Sequence, residues 1–377
     1  MSHITLGCTA CGAPHSDSMA TLRCTLCRSP LEMRYTNMRE GSSGSQTPDW
    51  AGPQIPLPIH GADSMVSLGE GNTPCVELTR LGKLLGLTRL YAKLEHLNPT
   101  GSFKDRGAAI MMSVAREQGV TEVVEDSSGN AGASVSAYAA RAGIKAHIFV
   151  PVSAPPPKVR QIILYGAQAH SIEGSREATT EAAVSYCTER GLVYASHILS
   201  PYFLEGTKTF AYEVSRELPQ APPDHIVMPV GNGSLFIGVF KGYGELRDAE
   251  HLSEIPRLHC VQARAVMPIV AAYNGDKWSP PSTANTIAGG IAAAAPARKQ
   301  EMLDVLGATG GVAVAVDDEE ILRWQKVLAE REGIFAEPTS AAALAGLDQL
   351  VKRGAIQNSE SVLVPITGSG LKDATPG

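Results

Sequence analysis

Downstream of residue 120, apolar and polar positions follow two periods in turn. Short runs rich in β-branched and apolar residues, at 121–125, 145–150, 168–172, 225–230, 257–263, 311–316 and 361–366, carry the strand pattern. Between them, apolar residues recur three and four apart over 131–142, 176–190, 203–218, 235–247, 318–332 and 339–353, which predicts helices. Strands that alternate with helices predict parallel sheets covered on both faces, and this many strands favours two α/β domains over one. The acidic run at 317–320 suits a helix start, where carboxylates meet the positive end of the backbone dipole. There is no internal repeat.

Upstream, a strand-like run at 90–97 leads through Asn98-Pro99-Thr100-Gly101-Ser102-Phe103-Lys104-Asp105-Arg106-Gly107 into a helix-like run at 108–117. Lys104 thus falls in the first turn after a Pro/Gly loop, where backbone N–H groups are unpaired and can face a ligand. Burial or the positive end of a helix disfavours an ammonium and prepares a lysine to act as a nucleophile. An exposed lysine at an ordinary helix start is the commoner use, so the neighbouring loops decide.

In parallel α/β sheets ligands sit beyond the carboxyl ends of the strands. Three loops stand there: Ser127-Ser128-Gly129-Asn130-Ala131-Gly132, Gly231-Asn232-Gly233-Ser234, and Thr367-Gly368-Ser369-Gly370-Leu371-Lys372. Glycines at a helix start let N–H groups converge on a phosphate, although one such loop alone is weak. The Rossmann and P-loop spacings are absent, which disfavours nucleotide binding by those routes. Ser67-Leu68-Gly69-Glu70-Gly71-Asn72-Thr73-Pro74 is a further Gly-rich turn that admits close backbone approach.

Composition narrows the class. A chain of 377 residues, 44% hydrophobic and 19% charged, suits an enzyme-sized globular protein of two or three domains. A net charge of −6 gives no reason to expect nucleic acid or a membrane surface as partner, and no apolar run is long enough to span a bilayer. The first residues lack a charged stretch followed by an apolar one, so a cytoplasmic protein is expected. Seven cysteines, an odd number, argue against a secreted disulfide framework. Four of them form Cys8-x-x-Cys11 and Cys24-x-x-Cys27, the spacing of a closed tetrahedral thiolate site for structural Zn2+. A redox pair, or a site that has lost its metal, is the competing use. Between this segment and the α/β region, residues 41–48 and 54–58 shift to Gly, Ser, Pro and Gln, a linker composition. Cys75 and Cys187 are scattered and Cys260 is expected in the core; His225, His251 and His259 read as surface or packing residues without partner spacing, and Trp278, near Pro280-Pro281, as loop packing.

The Pro99–Arg106 stretch, Ser128-Gly129-Asn130, the Gly231–Ser234 loop and the closing Thr367-Gly368-Ser369-Gly370-Leu371-Lys372-Asp373 together resemble the threonine synthase group of pyridoxal-phosphate (PLP) enzymes, of the tryptophan-synthase-β-like fold (fold type II). Ser67–Pro74, Leu204-Glu205-Gly206-Thr207-Lys208-Thr209, Glu337-Pro338-Thr339-Ser340-Ala341-Ala342 and the cysteine-rich start resemble it too, so the likeness runs from about Cys8 to Asp373. It implies a four-cysteine zinc ribbon at 1–35, a linker at 36–64, a large PLP-binding α/β domain from 65–97 and 204–377, and a small mobile α/β domain at 98–203.

By the same resemblance Lys104 would hold PLP covalently and shuttle the α-proton, with Phe103 packed alongside. Asn130 would bond the ring hydroxyl, Gly231, Asn232, Gly233 and Ser234 would cradle the phosphate, and Thr367 would face the pyridine nitrogen. The loop of Ser127, Ser128 and Ala131 would bind the substrate carboxylate. A homodimer is implied as well. The implied activity is conversion of O-phosphohomoserine to threonine by γ-elimination and β-hydration.

Two positions depart from the family: Ala131 where Thr is usual, and Phe203 where an Arg clamps the substrate phosphate. Phe cannot replace a bidentate guanidinium. Lys158 matches a family lysine near the phosphate, and Arg160 or His197 could compensate. The alternative is therefore β-elimination or β-replacement on a serine- or threonine-like amino acid, as an ammonia-lyase or a cysteate-synthase-like enzyme. Gly289-Gly290 could also approach the active site. A non-catalytic relative is disfavoured, since Lys104, Asn130, the glycine loop and Thr367 are all present.

Overall fold

Parallel strands dominate both halves of the chain. The computed structural model describes residues 4–35, 55–154, 156–218, 222–280 and 285–372. Most of the expected linker at 36–64 lies outside the described residues, as do Pro281 and Asp373. The chain divides into two units: Met1–Gly71 with Asn98–Thr209, and Asn72–Leu97 with Phe210–Gly377.

The first unit begins with a three-stranded antiparallel sheet in the order Pro14–His15, Ile4–Cys8, Leu31–Tyr35. Side chains tie it to the rest of this unit. Tyr35 Oη donates to Glu205 Oε2 at 2.6 Å, Tyr202 Oη donates to Asp17, and the Met19 N–H donates to Gln118 Oε1 at 3.0 Å. A four-stranded parallel sheet follows in the order Gln168–Ile172, Lys145–Pro151, Glu122–Glu125, Val193–Tyr194. Helices Lys104–Glu117 and Pro201–Thr207 pack at a distance only glycine allows: a Cβ on Gly206 would stand 1.9 Å from the Arg106 carbonyl oxygen, and one on Gly107 would stand 2.4 Å from the Phe203 ring.

The second unit is a six-stranded sheet in the order Ala313–Val316, Arg257–Ala263, His225–Pro229, Ser361–Pro365, Arg89–Lys93, Cys75–Glu77; only the last strand runs antiparallel. Its core gathers Leu90, Val227, Val261, Val314, Trp324, Leu344 and Val364. Helix Pro338–Lys352 is rich in alanine because it lies close on the sheet; a Cβ on Gly346 would meet Val261 Cγ2 at 2.3 Å. Helix Asp318–Glu332 starts with the reciprocal capping box of Asp317 and Glu320, as the acidic run predicts. Among the described residues no helix is long and apolar enough to cross a membrane.

One expectation needs correction. The helix expected over 203–218 is two helices, Pro201–Thr207 and Thr209–Glu217. Around the break, the hydroxyls of Thr207 and Thr209 donate to the Leu204 and Gly206 carbonyls at 3.1 and 2.7 Å, side-chain bonds that compete with the helical ladder. Of the histidines expected at the surface or in packing, His225 and His259 pack against each other. Both are buried, with His225 Nδ1 2.8 Å from His259 Nε2 and His225 Nε2 3.1 Å from Glu360. The strand register, with Val227 opposite His259, brings them together, and no spacing along one strand reveals it. His251 is exposed, Cys260 is buried, and Trp278 is half-buried.

Candidate active site

Lys104 is the first residue of helix Lys104–Glu117, and no side chain caps that helix. The loop before it is held by polar bonds. Asn98 Oδ1 accepts the Gly71 N–H at 2.9 Å, and Gly101 takes φ +87°, a conformation that favours glycine. Asp105 is buried and accepts from the Thr100 N–H, Thr100 Oγ1 and Ser134 Oγ, each at 2.6 Å. One carboxylate therefore fixes the loop in front of Lys104 and ties its helix to Asn130–Ala142, the helix that Asn130 opens. Sequence pattern assigns Asp105 no role. Its one signal is a charged residue beside Lys104 on a helix face that is otherwise apolar.

Lys104 Nζ lies 4.6 Å from the centre of the Phe103 ring and 5.6 Å from that of Phe203. Phe203 is fully buried against Gly107. Ser127 and Ser128 are half-buried in the tight turn before Asn130, where Ser127 Oγ accepts the Gly129 N–H at 3.2 Å. A Cβ on Gly132 would meet the Ser127 carbonyl oxygen at 1.8 Å, so the turn closes only over glycine. Ala131 is buried. On helix Pro156–Leu164, Lys158 is half-buried and Arg160 is exposed.

Strand Glu122–Glu125 ends at two buried acids. Arg176 Nη2 stands 3.0 Å from Asp126, and Thr180 Oγ1 donates to it at 2.5 Å. Burial opposes its ionisation, but Arg176 and Thr180 hold its pKa below the ordinary aspartate value. Glu125 carries His197: the His197 N–H donates to Oε2 at 3.1 Å, and Nδ1 lies 2.8 Å from Oε1. Burial, then the charge of Asp126, pushes Glu125 well up, while burial, then the charge of Lys104, pushes His197 well down.

In the second unit, the Gly231–Ser234 turn joins strand His225–Pro229 to helix Ser234–Asp248, whose start has no capping side chain. Gly233 takes φ +84°, and a Cβ there would meet Met302 Sδ at 2.4 Å. A Cβ on Gly231 would meet the Gly290 carbonyl oxygen at 2.9 Å and Ile291 Cα at 3.0 Å, so the Gly290–Ile291 backbone lies against this turn. Such a turn at an uncapped helix start is the donor set that phosphate requires. Thr367 follows strand Ser361–Pro365, is buried, and has Ser340 Oγ 2.9 Å from its Oγ1. In the sequence Ser340 stands only within a motif of the resemblance, without a role of its own.

The four cysteines of the first unit meet. Cys8 and Cys27 Sγ are 3.4 Å apart, Cys11 and Cys24 3.7 Å, and Cys11 and Cys27 3.6 Å. All four lie within 4.8 Å of one another. A tetrahedral zinc ion with bonds of about 2.3 Å spaces its sulfurs about 3.8 Å apart, so the donor set fits that ion.

The fold and these loops define a class before any reaction. The pyridoxal-phosphate dependent enzyme family matches residues 66–368. The chain is 38% identical to a threonine synthase from Methanocaldococcus jannaschii, over 84% of this chain and 79% of that protein. It is 34% identical to a threonine synthase from Methanosarcina acetivorans, over 98% and 92%. Among solved structures, maize serine racemase superposes with TM-score 0.69 at 26% identity, covering 79% of this chain and 88% of that one. The chain belongs to the threonine synthase family of pyridoxal-phosphate dependent lyases.

Proposed function

We propose that this PLP-dependent lyase acts on a small amino acid with an oxygen leaving group, and that the family reaction, O-phosphohomoserine to threonine, is its first candidate. The observation that carries the reading is Lys104 at an uncapped helix start, in a loop clamped by the buried Asp105. When bound, PLP supplies a conjugated ring that draws electrons from the substrate's α-carbon. Lys104 would hold the cofactor and move the α-proton, Phe103 would pack beside it, and Asn130 would bond its hydroxyl. Gly231, Asn232, Gly233 and Ser234 would take the phosphate through backbone donors. Thr367, supported by Ser340, would present a neutral hydroxyl to the ring nitrogen. The Ser127–Ala131 turn would bind the substrate carboxylate, with Lys158 and Arg160 the nearest sequence candidates for a phosphate partner.

A second reading has its own support. Phe203 stands where the family places a phosphate-clamping Arg, and it is fully buried against Gly107. A guanidinium there would be expensive to bury, and Phe offers no charge to a phosphate. This favours an unphosphorylated hydroxy amino acid such as serine or threonine, with β-elimination or β-replacement as the reaction. Titrating the PLP-loaded protein with O-phosphohomoserine, L-serine and L-threonine, and assaying phosphate, threonine and 2-oxo acid, separates the two. Phosphate plus threonine from O-phosphohomoserine supports the first, and oxo acid from serine or threonine alone supports the second.

We propose further that Cys8, Cys11, Cys24 and Cys27 hold one structural Zn2+. The N–H groups of Ala10 and Cys11 point at Cys8 Sγ and that of Leu26 at Cys24 Sγ, each at 3.4 Å, which favours thiolates. A cytoplasmic homodimer is proposed on family resemblance and cysteine usage; a holoprotein mass near twice 39.7 kDa in sedimentation would support the dimer.

A further inference from the structure

Glu125 and His197 are buried close to Lys104; Glu125 has no part in the roles proposed above, and His197 enters only as a candidate stand-in for the missing phosphate-clamping Arg. One carboxyl holds the imidazole at two points, through the His197 N–H and through Nδ1. The neighbouring Asp126 is occupied with Arg176 and Thr180, so the Arg176 charge is already matched. The His197 ring stands edge-on to Phe203, with 6.1 Å between centres, and Lys104 Nζ lies 5.6 Å from the centre of the same ring. Phe203 is thus a shared wall between the lysine and the histidine.

At rest the pair holds protons without holding charge. Burial and Asp126 favour the protonated carboxyl of Glu125, and burial and Lys104 favour the neutral imidazole. A protonated Glu125 donates to Nδ1, which places the ring proton on Nε2. Such a pair offers nothing to neutralise a phosphate dianion. It does offer what a hydroxyl lacks, since hydroxide is a poor leaving group unless it departs with a proton.

We propose that Glu125 and His197 form a proton-delivering dyad for an uncharged oxygen leaving group, which makes the substrate a β-hydroxy amino acid; the proposal rests on the second reading above. As Lys104 takes the α-proton, the Cα–H electron pair becomes the Cα=Cβ bond, the Cβ–O bond breaks with its electron pair on oxygen, the oxygen takes the Nε2 proton, and water leaves. The Glu125 proton passes to Nδ1, so the imidazole ends neutral in its other tautomer and Glu125 ends as the carboxylate.

The test uses PLP-loaded protein and compares oxo-acid release from L-serine, L-threonine and β-chloro-L-alanine, whose chloride leaves without a proton. H197Q is expected to lower kcat on the better hydroxy substrate by about 100-fold or more, the usual range for a lost general acid, while β-chloroalanine turnover changes by less than about 3-fold. E125Q, which can still donate to Nδ1 but has no proton to pass on, is expected to show the same split and serves as the second variant if H197Q does not fold. An equal fall on all substrates, or no fall on the hydroxy substrate, would overturn the dyad. A wild-type protein that eliminates chloride but leaves serine and threonine untouched would overturn the substrate reading, and the dyad with it.

Discussion

Ser340 Oγ accepts the Gly368 N–H at 2.9 Å and stands 2.9 Å from Thr367 Oγ1, all three groups being buried. Ser340 has one proton to give, and Thr367 is nearer than the Gly368 carbonyl at 3.3 Å. If Ser340 donates to Thr367, the Thr367 proton is directed onward, as the role proposed for Thr367 at the ring nitrogen requires. S340A strands a buried N–H and removes a donor, which is expected to cost about 1–3 kcal/mol of stability. Urea unfolding of wild type and variant measures this, and a PLP titration is expected to show weaker loading.

The contact at Gly206 gives a sharper packing prediction. A methyl there would stand 1.9 Å from the Arg106 carbonyl oxygen, and backbone cannot yield as a side chain can. G206A is expected to destabilise the protein by at least about 1–3 kcal/mol through overpacking. G244A, at a helical glycine with nothing within 4 Å, is expected to be neutral or to stabilise by up to about 1 kcal/mol. Denaturation of the two variants side by side checks the contrast.

The buried His225–His259 pair predicts acid sensitivity. Burial, then the charges of His225 and Arg257, lowers the pKa of His259 from 6.5 to about 3. Between those values the unfolded chain binds the proton and the folded one does not. Stability is therefore present above pH 6.5 and falls as pH drops towards 3, with a slope of up to about 1.4 kcal/mol per pH unit from this group. His225, lowered by burial, acts in the same direction. Urea midpoints from pH 8 to pH 5 should show the decline, and H259Q should flatten it.

Metal content tests the ribbon. Protein purified under reducing conditions should carry about one zinc per chain, and C24S should carry none. Chelation should lower the thermal transition, because the ribbon is tied to helix Pro201–Thr207 through Tyr35 and Glu205 and through Asp17 and Tyr202. A reduced wild-type protein without zinc would contradict this.

Much of the fold is legible in the sequence because parallel strands buried on both faces leave apolar runs; 145–150 and 257–263 fall on the observed strands Lys145–Pro151 and Arg257–Ala263. Short elements escape. Cys75–Glu77 and Val193–Tyr194 are too brief to show a period, and Thr79–Leu85 and Pro268–Tyr273 are helices of two turns or fewer. The Lys104 loop and the glycine turns are visible as sequence signals. The supports around them are not: Asp105 with Ser134, Ser340 with Thr367, and Glu125 with His197 are pairings made by tertiary approach, which local pattern does not encode.

The central claim is that Lys104 is the residue through which this chain performs PLP-dependent elimination. The direct measurement is product release, as 2-oxo acid or as threonine plus phosphate, by PLP-loaded wild type and K104A given L-serine, L-threonine and O-phosphohomoserine. The account predicts turnover of at least one of these by wild type and a fall of about 1,000-fold or more in K104A, since both the covalent hold and the proton acceptor are lost. Equal turnover by K104A, or none by a fully loaded wild type on all three, would contradict it.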